Sequence, residues 1–340
     1  MPRSGINYIL IPCMAASTMI AFQHAARGQE PEAFYKGRTV TMLIGYGPGG
    51  SYDLYGRLVA RHIGRHIPGE PNIVPQNRPG ANSYVAANYM YSVAPRDGAT
   101  LGIVTQQVAL DESLGTTAVQ YKSAEFGWIG RITSNIGLIV SGSTSRARTI
   151  QDTKKFDVPI AVAGDNTPLV LNNLAGTRFR IIAGYPSSNA SMLAMERGEV
   201  DSTFTSWNAI KTTKQDWLRN KTINLIVQLA PYRHADLPDV PDMVSLGETR
   251  EQKQILALYG SVATIGRSIF TTPGVPPERL KTLRDAFMRM TRDPALLAEI
   301  EQTKAELDPM PGEELQKIVA NASFLPPDLR DQARQALNSK

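Results

Sequence analysis

From Arg38 onward, short apolar runs alternate with amphipathic stretches, the pattern of strands joined by crossover helices. The run Arg38-Thr-Val-Thr-Met-Leu-Ile44 predicts a first strand, and a helix follows over about 53–66, with Leu54, Leu58, Val59, Ile63 and Ile67 on one face. Asn72, Ile73 and Val74 predict a second strand. A helix carrying Val85, Ala86, Tyr89 and Met90 comes next, then a Pro95-Arg96-Asp97-Gly98 turn and a strand over 100–105. The apolar segments 125–131 and 136–140 are divided by Thr133-Ser134-Asn135, where the chain is expected to cross to a second unit. There the rhythm restarts, with strands over 158–163, 179–183 and 201–205 and helices over 168–175 and 190–197. Residues 223–229 are expected to carry the chain back, and a helix over 277–291 to rejoin the first unit; the tail after Asn321 reads as a surface helix. The expected fold is α/β with two lobes around a cleft: residues 29–130 and 231–340 in the first lobe, 131–230 in the second.

Composition leaves this picture intact: 340 residues, 42% hydrophobic and 20% charged, are enough for two cored units. The first 28 residues change it. Arg3, an interrupted apolar stretch from Ile6 to Phe22 and small residues at Ala26 and Gly28 form a secretory signal peptide pattern, so export to the periplasm is expected. Cys13, the only cysteine, lies inside this stretch, which leaves the remaining chain without a disulfide, a thiol nucleophile or a thiolate metal site. Without residues 1–28 the formal charge falls from +5 to +3. The cations are scattered and not interleaved with aromatics, so no nucleic-acid partner is expected.

The first strand ends in Gly45-Tyr46-Gly47-Pro48-Gly49-Gly50, which satisfies G-x-G-x-x-G. A dinucleotide site also needs an acid at the end of the second strand, yet that strand ends Pro75-Gln76-Asn77, and Pro48 removes one N–H from the cradle. The alternative is a cradle for a carboxylate at the positive end of a helix dipole, with Ser51 and Asp53 available to cap the helix. His62 and His66 have metalloprotease spacing, but Ile63 stands where the general-base Glu belongs, and a solvated basic face is expected instead. His234 falls in an expected surface turn. No G-x-S-x-G elbow occurs, and no nucleophile is paired with a base, so neither an enzyme nor a cofactor or metal is expected.

Several stretches, in order, resemble one family: Gly47-Pro48-Gly49-Gly50-Ser51-x-Asp53, Asn77-Arg78-Pro79-Gly80-Ala81 and Ala94-Pro95-Arg96-Asp97-Gly98. Glu196-Arg197-Gly198-Glu199-Val200-Asp201, Leu237-Pro238-Asp239-Val240-Pro241 and Phe270-Thr271-Thr272-Pro273-Gly274-Val275-Pro276 continue the series. With these the chain is similar to the solute-binding receptors of tripartite tricarboxylate transporters, the TctC or Bug-type extracytoplasmic receptors. The resemblance implies a two-lobed periplasmic-binding-protein fold of the Venus-flytrap kind, type II-like, which closes over a small organic acid and works with membrane permease subunits, the receptor itself a monomer. It also implies ligand contacts from Gly47, Pro48, Gly49, Gly50, Ser51 and Asp53, from Gly80, Ala81, Asn82 and Ser83, and from Thr105 and Gln106.

In the second lobe the candidates are Asp165, Asn166 and Thr167, then Ser187, Ser188 and Asn189, and Thr205. Thr167 followed by Pro168 serves equally well as a helix cap, and Ser187–Asn189 as capping residues. An Asp165 carboxylate in the cleft would repel a plain dicarboxylate and pair with an amino group. Because these loops hold little Lys or Arg apart from Arg78, affinity is expected from backbone N–H groups, hydroxyls and waters. A periplasmic sensor that docks on a signalling partner, and a dinucleotide-dependent enzyme, are the alternative readings.

Overall fold

The structure, a computed structural model, describes residues 1–2 and 30–338; the expected signal peptide beyond its first two residues, Cys13 included, lies outside the described residues. Among the described residues eleven strands form two sheets. The first holds β1 (Thr39–Ile44), β2 (Asn72–Asn77), β3 (Thr100–Ile103) and β4 (Gly127–Thr133). The second holds β5 (Gly137–Gly142), β6 (Val158–Ala161), β7 (Phe179–Ile182), β8 (Ser202–Ser206) and β9 (Ile223–Leu229). The chain then returns to the first sheet with β10 (Arg267–Thr271) and β11 (Met310–Pro311). The strand orders are β11-β4-β10-β3-β1-β2 and β7-β6-β8-β5-β9.

Each sheet has a parallel βαβ part and an antiparallel part. β1 pairs in parallel with β2 and β3, with Ile44 opposite both Asn77 and Ile103, while β10 runs antiparallel between β3 and β4. β6 likewise pairs in parallel with β7 and β8, while β5 is antiparallel to β8 and β9.

Both faces of each sheet are buried, as helices on two sides require. Period-2 alternation sorts the side chains: Val40, Met42 and Ile44 enter a core with Leu58, Ile63 and Phe287, while Leu43 points to the opposite core with Met90, Trp128 and Phe270. In the second sheet Ile139, Ile160 and Val227 pack with Leu171, and Leu138, Val140 and Ala161 pack with Ile210 and Trp217.

The chain crosses between sheets at residues 134–136 and returns after Leu229. Residues 231–338 serve both sheets, where the sequence pattern predicts the first alone. The helix Arg250–Ser261, started by a capping box of Thr249 and Gln252, buries Ile255, Leu256 and Tyr259 in the second sheet's core. The helix Pro327–Gln335 is mostly exposed and is anchored there by Ala333, whose carbonyl accepts from the Tyr259 hydroxyl at 3.0 Å. Among the described residues no helix is long and apolar enough to cross a membrane.

The parallel registers set the carboxyl ends of β1, β3, β6 and β8 around one space between the sheets. In open α/β sheets that is where ligands are bound.

Candidate functional site

Three helix N-termini converge on this space. The helix Ser51–Ile63 starts from Gly50, and Gly50, Ser51 and Tyr52 line the cavity with the positive end of its dipole. The Ser187 hydroxyl accepts from Ala190 N at 3.3 Å and so caps the helix Ser188–Glu196, while Ser187 and Ser188 face the same cavity. Ser206 caps the helix Trp207–Thr213 in the same way, accepting from Ala209 N at 3.2 Å. Capping and cavity lining are thus done by the same hydroxyls.

The glycine loop is held by Asp53, though not as a helix cap. Its carboxylate accepts from Gly49 N at 3.0 Å, Arg57 Nε at 2.9 Å and Asn77 Nδ2 at 2.8 Å. Burial raises the Asp53 carboxyl, but these hydrogen bonds outweigh burial and hold it below the usual carboxylate value. Gly45 brings the first two loops together: a Cβ there would lie 2.4 Å from the Ser83 Cβ. The second loop runs through four successive positive φ values, from Gly80 at 138° through Ala81, Asn82 and Ser83 at 44°, 50° and 67°. Non-glycine residues in this region cost of order 1–3 kcal/mol each and concentrate at binding sites. Tyr46 ties the turn down, its hydroxyl donating to Asn82 Oδ1 at 2.7 Å, and Thr105 N donates to Ser83 Oγ at 2.8 Å.

The lobes touch across the cleft. Gly47 N donates to Pro186 O at 3.0 Å, and Asn189 stands over Gly49. Gln107 Nε2 donates to Asp165 Oδ2 at 2.9 Å. The other Asp165 oxygen accepts from Thr167 N at 2.7 Å, so the helix Thr167–Ala175 begins at Thr167 with Asn166 exposed at its N-cap, one residue earlier than a Thr167 cap would give. Burial raises the Asp165 carboxyl, partly opposed by the hydrogen bonds from Thr167 and Gln107.

The cavity has a volume of about 50 Å³. Of the residues singled out from sequence, Gly50, Ser51, Asn82, Thr105 and Gln106 line it from the first sheet's side, and Asp165, Ser187, Ser188 and Thr205 from the second's. Gly80, Ala81 and Ser83 join Asn82 in lining a wider adjoining groove of about 430 Å³, walled by Tyr46, Ala163, Tyr185 and Pro186. Gly47 and Gly49 sit at the closing seam, Pro48 is exposed beside them, and Asp53, Asn166, Thr167 and Asn189 lie outside the cavity lining.

Arg267 went unanticipated. It opens β10, is 2% exposed, and lines the cavity. Its guanidinium stacks 3.7 Å from the centroid of Tyr52, which in turn stacks on Tyr46 at 4.5 Å. Nη2 donates to Ser51 Oγ at 2.5 Å and Ser206 Oγ at 3.2 Å, so one side chain spans both sheets. Nε and Nη1 are buried with no hydrogen-bond partner. A buried guanidinium thus lines the cavity, although the strand-end loops themselves hold little Lys or Arg. Its signal was an arginine inside the otherwise apolar stretch Ile265-Gly-Arg-Ser-Ile-Phe270, a charge in a strand that burial on both faces leaves no route to water.

Other candidates resolve differently. His62 is buried, not solvated, and bonds Glu299 at 2.7 Å, while His66 bonds Asp293 at 2.8 Å. Trp207, first in the helix Trp207–Thr213 beside the cavity, packs away from it and donates from Nε1 to Asp236 at 2.9 Å. His234, Asp236 and Glu306 stand close enough to hold a cation, but the Lys211 ammonium already pairs with both carboxylates.

The family model of the tripartite tricarboxylate transporter family receptor matches residues 57–324. This chain belongs to that family. As a member it is a solute-binding receptor, and its relatives share its extent. It is 27% identical over 296 residues to the UPF0065 protein in gbd 5' region of Cupriavidus necator, with 83% of this chain and 84% of that protein covered. Among solved structures it is similar to the periplasmic binding protein BugD, at TM-score 0.70 and 18% identity over 89% of this chain and 98% of that one. It is also similar to MatC from Rhodopseudomonas palustris with bound malate, at TM-score 0.66 and 18% identity over 88% and 99%. At these identities the structural likeness establishes the fold, the two-lobed α/β fold of periplasmic binding proteins.

Proposed function

We propose that this receptor captures a small organic acid in the cleft between its two sheets and hands it to membrane permease subunits of a tripartite tricarboxylate-type transporter. The observation that carries the reading is Arg267: a buried guanidinium whose bonded partners are two neutral hydroxyls and whose Nε and Nη1 are unbonded. Taking such a charge out of water costs several kcal/mol unless a counter-charge meets it, and a carboxylate supplies that charge. The N-terminus of the helix Ser51–Ile63, beside it, favours the same charge. Family membership and the malate carried by a neighbour of the same fold agree with an acid ligand.

In this reading Gly47–Asp53, Gly80–Ser83, Thr105 and Gln106 form one jaw, and Asp165–Thr167, Ser187–Asn189 and Thr205 the other. The jaws belong to one lobe built on β1–β4 with β10 and β11 and a second built on β5–β9 with the helices Arg250–Ser261 and Pro327–Gln335, hinged at the crossings. Residues 1–28 direct export to the periplasm, the receptor acts as a monomer, and no step of catalysis is assigned to it.

The test is a thermal-shift panel of mono-, di- and tricarboxylates, aromatic acids, amino acids and a nicotinamide dinucleotide on the purified protein. A ligand at a hundredfold over its Kd stabilises by about 2.7 kcal/mol. A shift with an acid class supports the reading, and a shift with the dinucleotide alone overturns it.

A further inference from the structure

The cavity that holds Arg267 also holds an acid. Asp165 lines it from the second sheet, held by Gln107 Nε2 and Thr167 N, and each of these uses one acceptor position on a different oxygen. A carboxylate has about four such positions, so roughly two remain. Asn135 adds an acceptor: it is 5% exposed, lines the cavity, donates from Nδ2 to Gln106 Oε1 at 2.5 Å, and has its Oδ1 buried without a partner. Against these stand the buried, unbonded Nε and Nη1 of Arg267.

One small space therefore presents unbonded cationic donors, one unbonded amide oxygen and a carboxylate with acceptor positions to spare. Two opposite charges in a cleft that do not pair with each other are best met by a ligand that carries both. A dicarboxylate would satisfy Arg267 and bring its second anion against Asp165; a simple monocarboxylate would leave Asp165 without a counter-charge.

Resting on the acid-receptor reading, we propose that the preferred ligand of this receptor is a zwitterionic amino acid, its carboxylate on Arg267 and its ammonium on Asp165 and the Asn135 carbonyl oxygen. Tyr46 and Asn82 line both this cavity and the adjoining groove, so a longer side chain exits there. Asp165 is thus a specificity residue as well as the lobe contact to Gln107.

The experiment is titration calorimetry on the purified protein with α-amino acids, ω-amino acids of increasing chain length, their desamino analogues, and malate and succinate. Asp165→Asn is measured beside the wild type. The substitution keeps the oxygen that accepts from Thr167 N, and the wild-type panel stands by itself should the variant fold poorly. The expected result is an amino acid bound at least tenfold more tightly than its desamino analogue and than either dicarboxylate, with Asp165→Asn reducing that ratio to near one. A plain mono- or dicarboxylate bound as tightly as any amino acid overturns the zwitterion proposal and leaves the acid receptor standing. An amino-acid preference that Asp165→Asn leaves intact overturns the role of Asp165. Binding of no acid of any kind overturns both readings.

Discussion

Arg267→Met separates what the guanidinium does for the ligand from what it does for the fold. In the ligand-free protein the substitution removes a buried charge with two bare nitrogens, which relieves desolvation, and also removes two hydrogen bonds to Ser51 and Ser206 and the stack on Tyr52. These effects oppose each other, so the ligand-free variant is expected to differ from wild type by no more than ~2 kcal/mol. With ligand they do not cancel. Breaking a buried, hydrogen-bonded charge pair costs about 3 kcal/mol, or roughly 150-fold in Kd. At a concentration one hundred times the wild-type Kd, stabilisation falls from about 2.7 to ~0.3 kcal/mol. On a melting curve that is roughly 4 °C of ligand-induced shift in wild type against about 0.5 °C in the variant. Arg267→Lys, which keeps a charge but not the fork, is expected to fall between. Scanning calorimetry with and without ligand decides it: a variant that keeps the full ligand-induced shift refutes the anchor, whatever its own melting temperature.

Gly45→Ala is expected to destabilise by about 1–3 kcal/mol and to weaken ligand binding, because its Cβ would lie 2.4 Å from the Ser83 Cβ and push the first two loops apart. Urea unfolding and calorimetry on one preparation check both effects. The Asp111 carboxyl, which accepts from the Tyr84 hydroxyl at 2.7 Å, is pushed up to about 7 by burial, against the Tyr84 hydrogen bond and helped by the charge of Asp165. A carboxyl raised on folding binds its proton more tightly in the native state. Its contribution to stability is full below the usual value of 3.8 and lost as pH rises toward 7. Asp111→Asn should flatten that part of the stability–pH curve, and an unchanged slope would count against a raised Asp111.

The sequence by itself determined the elements and the places where loops meet. Period-2 runs such as Val40, Met42 and Ile44, and the apolar face of Leu58, Val59 and Ile63, are local consequences of burial against a sheet, so β1 and the helix after it were legible. The strand-end loops were legible for a related reason: glycine and serine clusters answer local needs of φ and capping that any reader of the chain sees. The antiparallel strands were harder to place, because β10 enters between β3 and β4 across more than a hundred residues of chain. Only tertiary structure put Arg267 at the mouth of the glycine loop, against Ser51 and Ser206, and set Asp165 and Asn135 in the same cavity. Backbone preference is a property of neighbours along the chain, whereas the charge balance of a cleft is a sum over residues that become neighbours only when both sheets have formed.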